Sequence, residues 1–395
     1  MFYIKSNALQ ISFDAFHRFE EAESLWRSIL PSGHHLLCPD IQATEAAMPE
    51  DITFRYVNIM RNGELIGVMY LQCLHFNSKH YHHGIFDRPV LKQLKECIIR
   101  QSVHLLICGN LFRVNFQGFY FKDKSDRSLI FDCLQLYRQS LKQDAEQCGI
   151  LVKDCSREFA PAQFSCYKFK AFDQDLTMEL SIRSEWKTFD DYLGDLSRKY
   201  RQRAAKIRKA AVGITLSDMD LGMLQMQKNR IHELYMNIVQ KQSLALGILN
   251  ADYFLQMKQH LGEQFKVFGY FKDGQLIAFS SHIYYPQRNK MEIHYIGMDY
   301  TQNQIHQLYF NLLFDGIRTA IDGAFDTIEM GRTAREAKAN AGAHAVENYN
   351  YIWVKPGLIR LAFRFIGNWF EKNIGEDWKN RNPFKSSPGM AESDR

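Results

Sequence analysis

Val57-Asn58-Ile59-Met60-Arg61-Asn62-Gly63-Glu64-Leu65-Ile66-Gly67-Val68 and Val267-Phe268-Gly269-Tyr270-Phe271-Lys272-Asp273-Gly274-Gln275-Leu276-Ile277-Ala278 are two versions of one pattern, an apolar strand, a two-residue turn and a second apolar strand. Asn-Gly and Asp-Gly accept the positive φ that a type I′ hairpin demands, so both stretches predict tight hairpins. One such hairpin is commonplace. Two of them, one in each half of a 395-residue chain, predict a duplicated domain.

The surrounding pattern agrees. After the second hairpin comes an alternating strand, Lys290–Gly297, and then a helix carrying Ile305, Leu308, Leu312, Leu313, Ile317 and Ile321 at helical spacing, ended near Gly323. Asp326–Met330 reads as a short closing strand. In the first half a strand around Val103–Phe121 precedes a helix with Leu129, Ile130, Cys133, Leu134, Tyr137 and Leu141, stopped near Gly149, and Ile150–Val152 closes it. Residues 86–101 read as an insertion peculiar to the first copy. The expected fold is α+β, with mixed, mainly antiparallel sheets flanked by helices. The expected division is 1–175, 176–356, an amphipathic helix over 357–378 and a disordered tail over 379–395.

Composition marks the same border. Of 49 basic and 44 acidic residues, the stretch 1–175 holds 20 and 20, which leaves 29 and 24 for the rest and assigns the whole net charge of +5 to the second half. So small a total excludes a chain coated by nucleic acid, and nothing points to DNA. All eight cysteines lie before residue 175, without a C-x-x-C pair, which reads as a reducing compartment. His34-His35 and His80-Tyr81-His82-His83 lack the partners a metal site needs, so no metal is expected. The first twenty residues lack a secretory pattern, and no apolar run is long enough to span a bilayer. The expected location is cytoplasmic, with peripheral attachment to the inner face of a membrane left open.

Four stretches carry candidate chemistry. Over 184–212 the apolar residues Phe189, Leu193, Leu196, Tyr200, Ala204, Ile207 and Ala211 share one helical face. Arg198, Lys199, Arg201, Arg203, Lys206, Arg208 and Lys209 fan across the remainder. Cations with no interleaved acid read as a phosphate-docking surface, for coenzyme A, an acyl carrier, tRNA or anionic lipid, or as a solvated helix face. Glu292 and His294, two apart on one strand, share a face and are candidates to take the proton from an attacking ammonium. His282 and Tyr284 on the neighbouring strand are expected to line the same pocket, and Tyr309 to join it. Glu329, Gly331, Arg332, Arg335 and Lys338 leave a strand and enter a short helix, where the cations can clamp a phosphate or carboxylate. Finally, Gly357–Lys372 (GLIRLAFRFIGNWFEK) has a wide apolar arc with Arg360 and Arg364 opposite, the pattern of a helix lying on anionic lipid or packed on the protein.

The basic stretch FDDYLGDLSRKYRQRAAKIRKA, together with FGYFKDGQLIAFSSHIYY, MEIHYIGMDYTQNQIHQLYFNLLFDGIRTAIDGAFDTIEMG and GRTAREAKANAGA, resembles the Fem-type branch of the GNAT acyltransferase superfamily. The resemblance covers about 190–350, and the first half shares it only through its hairpin. It implies tandem GNAT-like domains, with the second bearing the site. It also implies transfer of an acyl group from a thioester, acyl-CoA or acyl carrier protein, to an amine of an envelope or lipid precursor. Two alternatives stay open: aminoacyl transfer from tRNA to a peptidoglycan precursor, and a non-catalytic protein that binds envelope material. One feature departs from the superfamily. The turn expected to cradle coenzyme A pyrophosphate reads Met298–Gln304 with no glycine after Gly297, and Lys122–Arg127 in the first half has none either, so a donor would be held by side chains.

Overall fold

The computed structural model describes residues 10–47, 50–80, 103–141, 147–155, 169–242, 245–355 and 377–385. They form two compact units. The first draws on stretches within 1–175, 239–261 and 347–374, and the second on stretches within 176–238, 262–346 and 375–395. A border therefore falls at 175/176. The segment 239–261 and the end of the last strand belong with the first unit although they lie in the second half of the sequence.

In the first unit the strands are β1 (Ile11–Phe16), β2 (Ile52–Arg61), β3 (Glu64–Phe76), β4 (Val103–Cys108), β5 (Phe119–Phe121), β6 (Gln147–Cys155) and, from residue 347, β13 (His344–Val354). Their order is β1-β2-β3-β4-β6-β13, with β5 beside β3; only β4 and β6 run parallel. Helices α1 (Phe19–Ile29), α2 (Asp40–Ala46) and α3 (Ile130–Ser140) come from this half, and α7 (Tyr253–Leu261) packs against α2. The expected strand over 103–121 is two strands, because Gly109 takes φ +138 and the chain loops out until Gly118.

The second unit has the order β7-β12-β11-β10-β9-β8. These are β7 (Lys170–Ser181), β8 (Thr215–Asp218), β9 (Phe265–Lys272), β10 (Gln275–Tyr285), β11 (Lys290–Met298) and β12 (Thr327–Glu329). Its helices are α4 (Phe189–Asp195), α5 (Arg198–Ala210), α6 (Leu221–Val239), α8 (Tyr300–His306), α9 (Leu308–Asp322) and α10 (Arg335–Asn340). Both hairpins have the turn expected of them: φ is +52 and +86 at Asn62 and Gly63, and +50 and +78 at Asp273 and Gly274. The α9 stripe Leu308, Leu312, Leu313, Ile317 and Ile321 is buried against β10, β11 and β12.

Three expectations change. The helix over 184–212 is two, since Leu196 turns extended (ψ 142) and pairs with Phe384, leaving Ser197 to open α5. The helix carrying Ile305 also breaks, at left-handed Gln307, which leaves Ile305 at the surface on α8. The start of the tail is ordered rather than disordered. Ser197 N–H donates to Pro383 O (2.8 Å), Lys385 N–H to Asp195 O (3.0 Å), and the Phe384 ring packs on Trp186 at 5.5 Å. An aromatic anchor and two backbone hydrogen bonds offset the entropy of ordering those few residues. The remainder of the tail, the amphipathic helix through residue 376, the 86–101 insertion and His82-His83 lie outside the described residues. Among those described, no helix is long and apolar enough to cross a membrane.

Candidate active site

β11 and β12 run parallel for three residue pairs, Lys290↔Thr327, Met291↔Ile328 and Glu292↔Glu329. There β12 ends, while β11 continues to Met298. On its other edge β12 pairs Glu329 with Glu179 of β7. Glu179, Glu329 and Glu292 thus stand in neighbouring positions across three strands, where the β11–β12 ladder stops. Lys290, two residues before Glu292 and on its face, reaches across them, donating to Glu179 Oε1 at 2.7 Å and lying 2.6 Å from Glu329 Oε2.

Such a row of acids is unfavourable unless it is neutralised. Burial works against the Lys290 ammonium, yet Glu329 and Glu179 raise its pKa, and it stays charged. Glu329 is also shifted upward, first by burial and then by Glu292, against the pull of Lys290. An ion pair alone would lower the acid. One lysine shared by two carboxylates, with a third beside them, leaves Glu329 the place where a proton is retained.

Glu292 is held on both oxygens. Tyr285 Oη donates to Oε2 (3.0 Å) and His294 Nδ1 to Oε1 (3.0 Å). A carboxylate on Nδ1 fixes that nitrogen as the protonated one and makes Nε2 the basic nitrogen. Side-chain exposure is 1% at His294 and 4% at Glu292. His294 as a whole residue is partly exposed, so the surface it offers is main chain. The cause is a bulge: Ser281 pairs with Tyr295 and His282 with Ile293, which makes His294 the extra residue.

Beyond Glu329 the chain turns at Gly331 (φ +78) into α10. Lys338 is buried there, and a Cβ on Gly331 would lie 3.8 Å from its Nζ. Burial lowers the Lys338 pKa to about 7, with Glu329 opposing and Arg335 adding to the shift. Arg335 Nε donates to Arg332 O (3.4 Å), which ties the two guanidinium-bearing residues to this turn.

Of the residues singled out in the sequence, the structure brings together Glu292, His294, Glu329, Gly331, Arg332, Arg335 and Lys338. His282 and Tyr284 do not join them. The register sets Ile283 against Glu292 and Tyr285 against Lys290, so His282 and Tyr284 fall on the opposite face with Ile293 and Met291. There the Tyr284 ring lies 5.2 Å from Phe325. His282 accepts or donates at Ser280 Oγ (2.8 Å), lies 5.0 Å from Phe268, and burial lowers its pKa to about 3, so it is a neutral core residue. Tyr309 packs against the apolar clusters around α9, and burial raises its pKa. The residues the sequence did not disclose are Lys290, Glu179 and Tyr285. The alternation of buried Leu176, Met178 and Leu180 would have put Glu179 on the opposite face, had 170–181 been read as one strand.

The turn in the pyrophosphate position is already occupied. Asp299 Oδ1 accepts from Thr301 N–H (2.8 Å) and Thr301 Oγ1 (2.7 Å) at the start of α8. In the first unit Asp123 Oδ1 accepts from Ser125 N–H (2.8 Å) in the same way. A carboxylate that takes the helix-opening N–H both consumes the donor and repels an anion, so neither turn fits coenzyme A pyrophosphate. In the first unit the 109–118 loop packs inward. Phe112 and Phe116 of the 109–118 loop are buried, and Lys153 Nζ donates to Asn110 O (3.0 Å) and Arg113 O (3.4 Å).

On α5, Arg198, Lys199, Arg201, Arg203, Lys206 and Lys209 are exposed, whereas Arg208 turns inward. Its Nη1 donates to Asn311 Oδ1 (2.9 Å) and Asp315 Oδ1 (2.8 Å), so Arg208 braces α9 rather than the expected phosphate surface. Among the described residues no cluster of ligands suits a metal.

Residues 138–386 match a family described as FemAB-like, peptidoglycan biosynthesis/recognition. No curated protein matches the chain in sequence. Among solved structures, the fold is similar to FemX, 12% identical, with a TM-score of 0.51 over 90% of this chain and 100% of that one. It is also similar to a tandem GNAT protein from the clavulanic acid biosynthesis pathway, 10% identical, with a TM-score of 0.50 over 88% and 99%.

Proposed function

The chain belongs to the FemAB-like family, and from that premise we propose that its second unit transfers an acyl or aminoacyl group to an amine of a cell-envelope precursor. The observation that carries this reading is the Glu292–His294 pair, held by Tyr285 at the point where the β11–β12 ladder ends.

An amine attacks a carbonyl only when it is neutral. With Nδ1–H donated to Glu292, Nε2 is the basic nitrogen of His294. Its side chain is buried in this state, so the strand edge must open as the amine enters for Nε2 to take the ammonium proton, and Glu292 then stabilises the imidazolium that forms. The amine nitrogen bonds to the carbonyl carbon, and the bond to the leaving oxygen or sulfur breaks, that atom receiving a proton. The main chain of the bulge at His294 lies on the strand segment that β12 no longer covers, and donors there would stabilise charge on the carbonyl oxygen. Arg332 and Arg335, with Lys338 buried behind them, supply cations suited to a carboxylate or phosphate on the acceptor or donor.

The Asp299 and Asp123 caps count against coenzyme A on either helix-opening turn. They favour a donor held elsewhere: a thioester on acyl carrier protein, or an aminoacyl ester on tRNA. The buried 109–118 loop, held by Lys153, supports a structural role for that copy. The test is product analysis by mass spectrometry, with purified protein, an amine-bearing envelope precursor, and acyl-CoA, acyl carrier protein and aminoacyl-tRNA supplied in turn. Amide formation from one of the last two is expected. Amide from acyl-CoA alone would overturn the donor assignment, and binding of precursor with no amide from any donor would favour a non-catalytic protein.

A further inference from the structure

The second unit has a corner where exposed aliphatic side chains meet unpaired cations. On α5 the 100° step per residue spreads Arg198, Lys199, Arg203, Lys206 and Lys209 over an arc of about 140°, opposite buried Ala204 and Ile207. None of these five cations forms an ion pair among the described residues, and Arg203 lies over the Phe310 ring at 4.8 Å. Immediately past α5 the chain splits its apolar residues. Ile214 packs inward against the apolar cluster that includes Tyr270, Met298 and Leu312, while Val212 is 75% exposed. A second aliphatic side chain is brought alongside. His306 Nδ1 is 2.8 Å from Ala210 O, pinning the end of α8 to the end of α5, and the preceding residue, Ile305, is 64% exposed.

Solvating Val212 and Ile305 is unfavourable, and the like charges beside them repel one another with no acid among them to relieve it. Both terms reverse against a surface that is anionic outside and apolar just beneath. We propose that the Lys206–Lys209–Val212–Ile305 corner docks the protein on an anionic phospholipid bilayer, the α5 cations lying among the headgroups and the two aliphatic side chains reaching the acyl boundary. Single-stranded RNA fits less well, because it is gripped by aromatic side chains on which bases stack. Among the described residues of this unit, none of the exposed large apolar side chains, Val212, Leu216, Leu221, Met226 and Ile305, is aromatic. Docking here would bring the second unit to the place where a lipid-linked amine is found, although the proposal does not depend on the transfer reaction.

The experiment is flotation of the full chain with vesicles of phosphatidylcholine, and with vesicles in which roughly a third of the lipid is phosphatidylglycerol, without donor or acceptor. Wild-type protein should float only with the anionic vesicles, less so as salt rises. Lys206→Gln with Lys209→Gln should lower the partition by roughly fivefold per charge, more than tenfold together. Val212→Ser with Ile305→Ser should lower it several-fold with the salt dependence unchanged. All four side chains are at the surface, so the variants should melt as the wild type does; if one does not, the wild-type salt series decides. No flotation at low salt, equal flotation with both vesicles, or full flotation of the lysine variant overturns the proposal. So does retention on tRNA that the lysine variant loses while wild-type protein ignores vesicles.

Discussion

Replacing Lys290 by Met keeps the length of the side chain and removes a cation that Glu179 and Glu329 share. Breaking a buried pair by deleting one partner costs about 3–5 kcal/mol, and because the Lys290 side chain retains 19% exposure the lower end applies, about 3 kcal/mol near pH 8. The loss should shrink as pH falls. Glu329 has a folded-state pKa above its unfolded value, so the folded state holds the extra proton and stability decreases as pH rises from the ordinary carboxylate range through the raised value. Without Lys290 that value rises further, at about 1.4 kcal/mol per unit, so Lys290→Met should cost markedly less at pH 5, where Glu329 is protonated. In the wild type the Lys290 contribution is complete below its unfolded pKa and disappears only as pH rises through its raised folded value. At about 2–4 °C per kcal/mol for a unit of this size, the melting temperature should fall by about 6–12 °C at pH 8. Thermal melts from pH 5 to pH 8, repeated in a Lys290→Met/Glu329→Gln background that should recover part of the loss, test the argument. A loss independent of pH, or no rescue by Glu329→Gln, would refute the shared-lysine account.

Tyr285→Phe should lower turnover roughly tenfold and displace the pH–rate profile, because it removes the hydrogen bond donated to Glu292 Oε2, while Tyr284→Phe should leave both unchanged; equal effects would contradict the β10 register. Coenzyme A should give no thermal stabilisation of the wild-type protein, given the Asp299 cap, and a saturable shift at millimolar ligand would contradict that reading. Phe384→Ala should cost about 2 kcal/mol, less than for a fully buried ring, and speed tryptic cleavage after Arg381 and Lys385, whose side chains are already at the surface. Unchanged digestion would show that the ring does not anchor the segment.

What the sequence disclosed was local. Asn62-Gly63 and Asp273-Gly274 announce their turns because positive φ is a property of those residues, and the α9 stripe needs only its own spacing. What it withheld depends on partners far along the chain. Whether Tyr284 or Tyr285 faces Glu292 is set by the β10–β11 register, in which a one-residue slip exchanges the faces. The bulge at His294 exists only in the pairing. Arg208 looks like its six neighbouring cations until Asp315 is brought to it. Gln307 and Ala334, at φ +50, break the chain in a conformation that favours glycine, and no neighbouring residue type foretells it. Composition did place the charge: the second unit's exposed cations on α5 account for a surface that the total of +5 conceals.

The most direct test of the central claim is the single-turnover rate of amide formation, with the donor that proves competent, for wild-type protein, Glu292→Gln and His294→Asn. If His294 Nε2 takes the ammonium proton with Glu292 behind it, both variants should lose about 10²–10⁴-fold near neutral pH and recover part of that loss at high pH, where the free amine is abundant. Undiminished rates in both variants, or losses that stay constant as pH rises, would contradict the account.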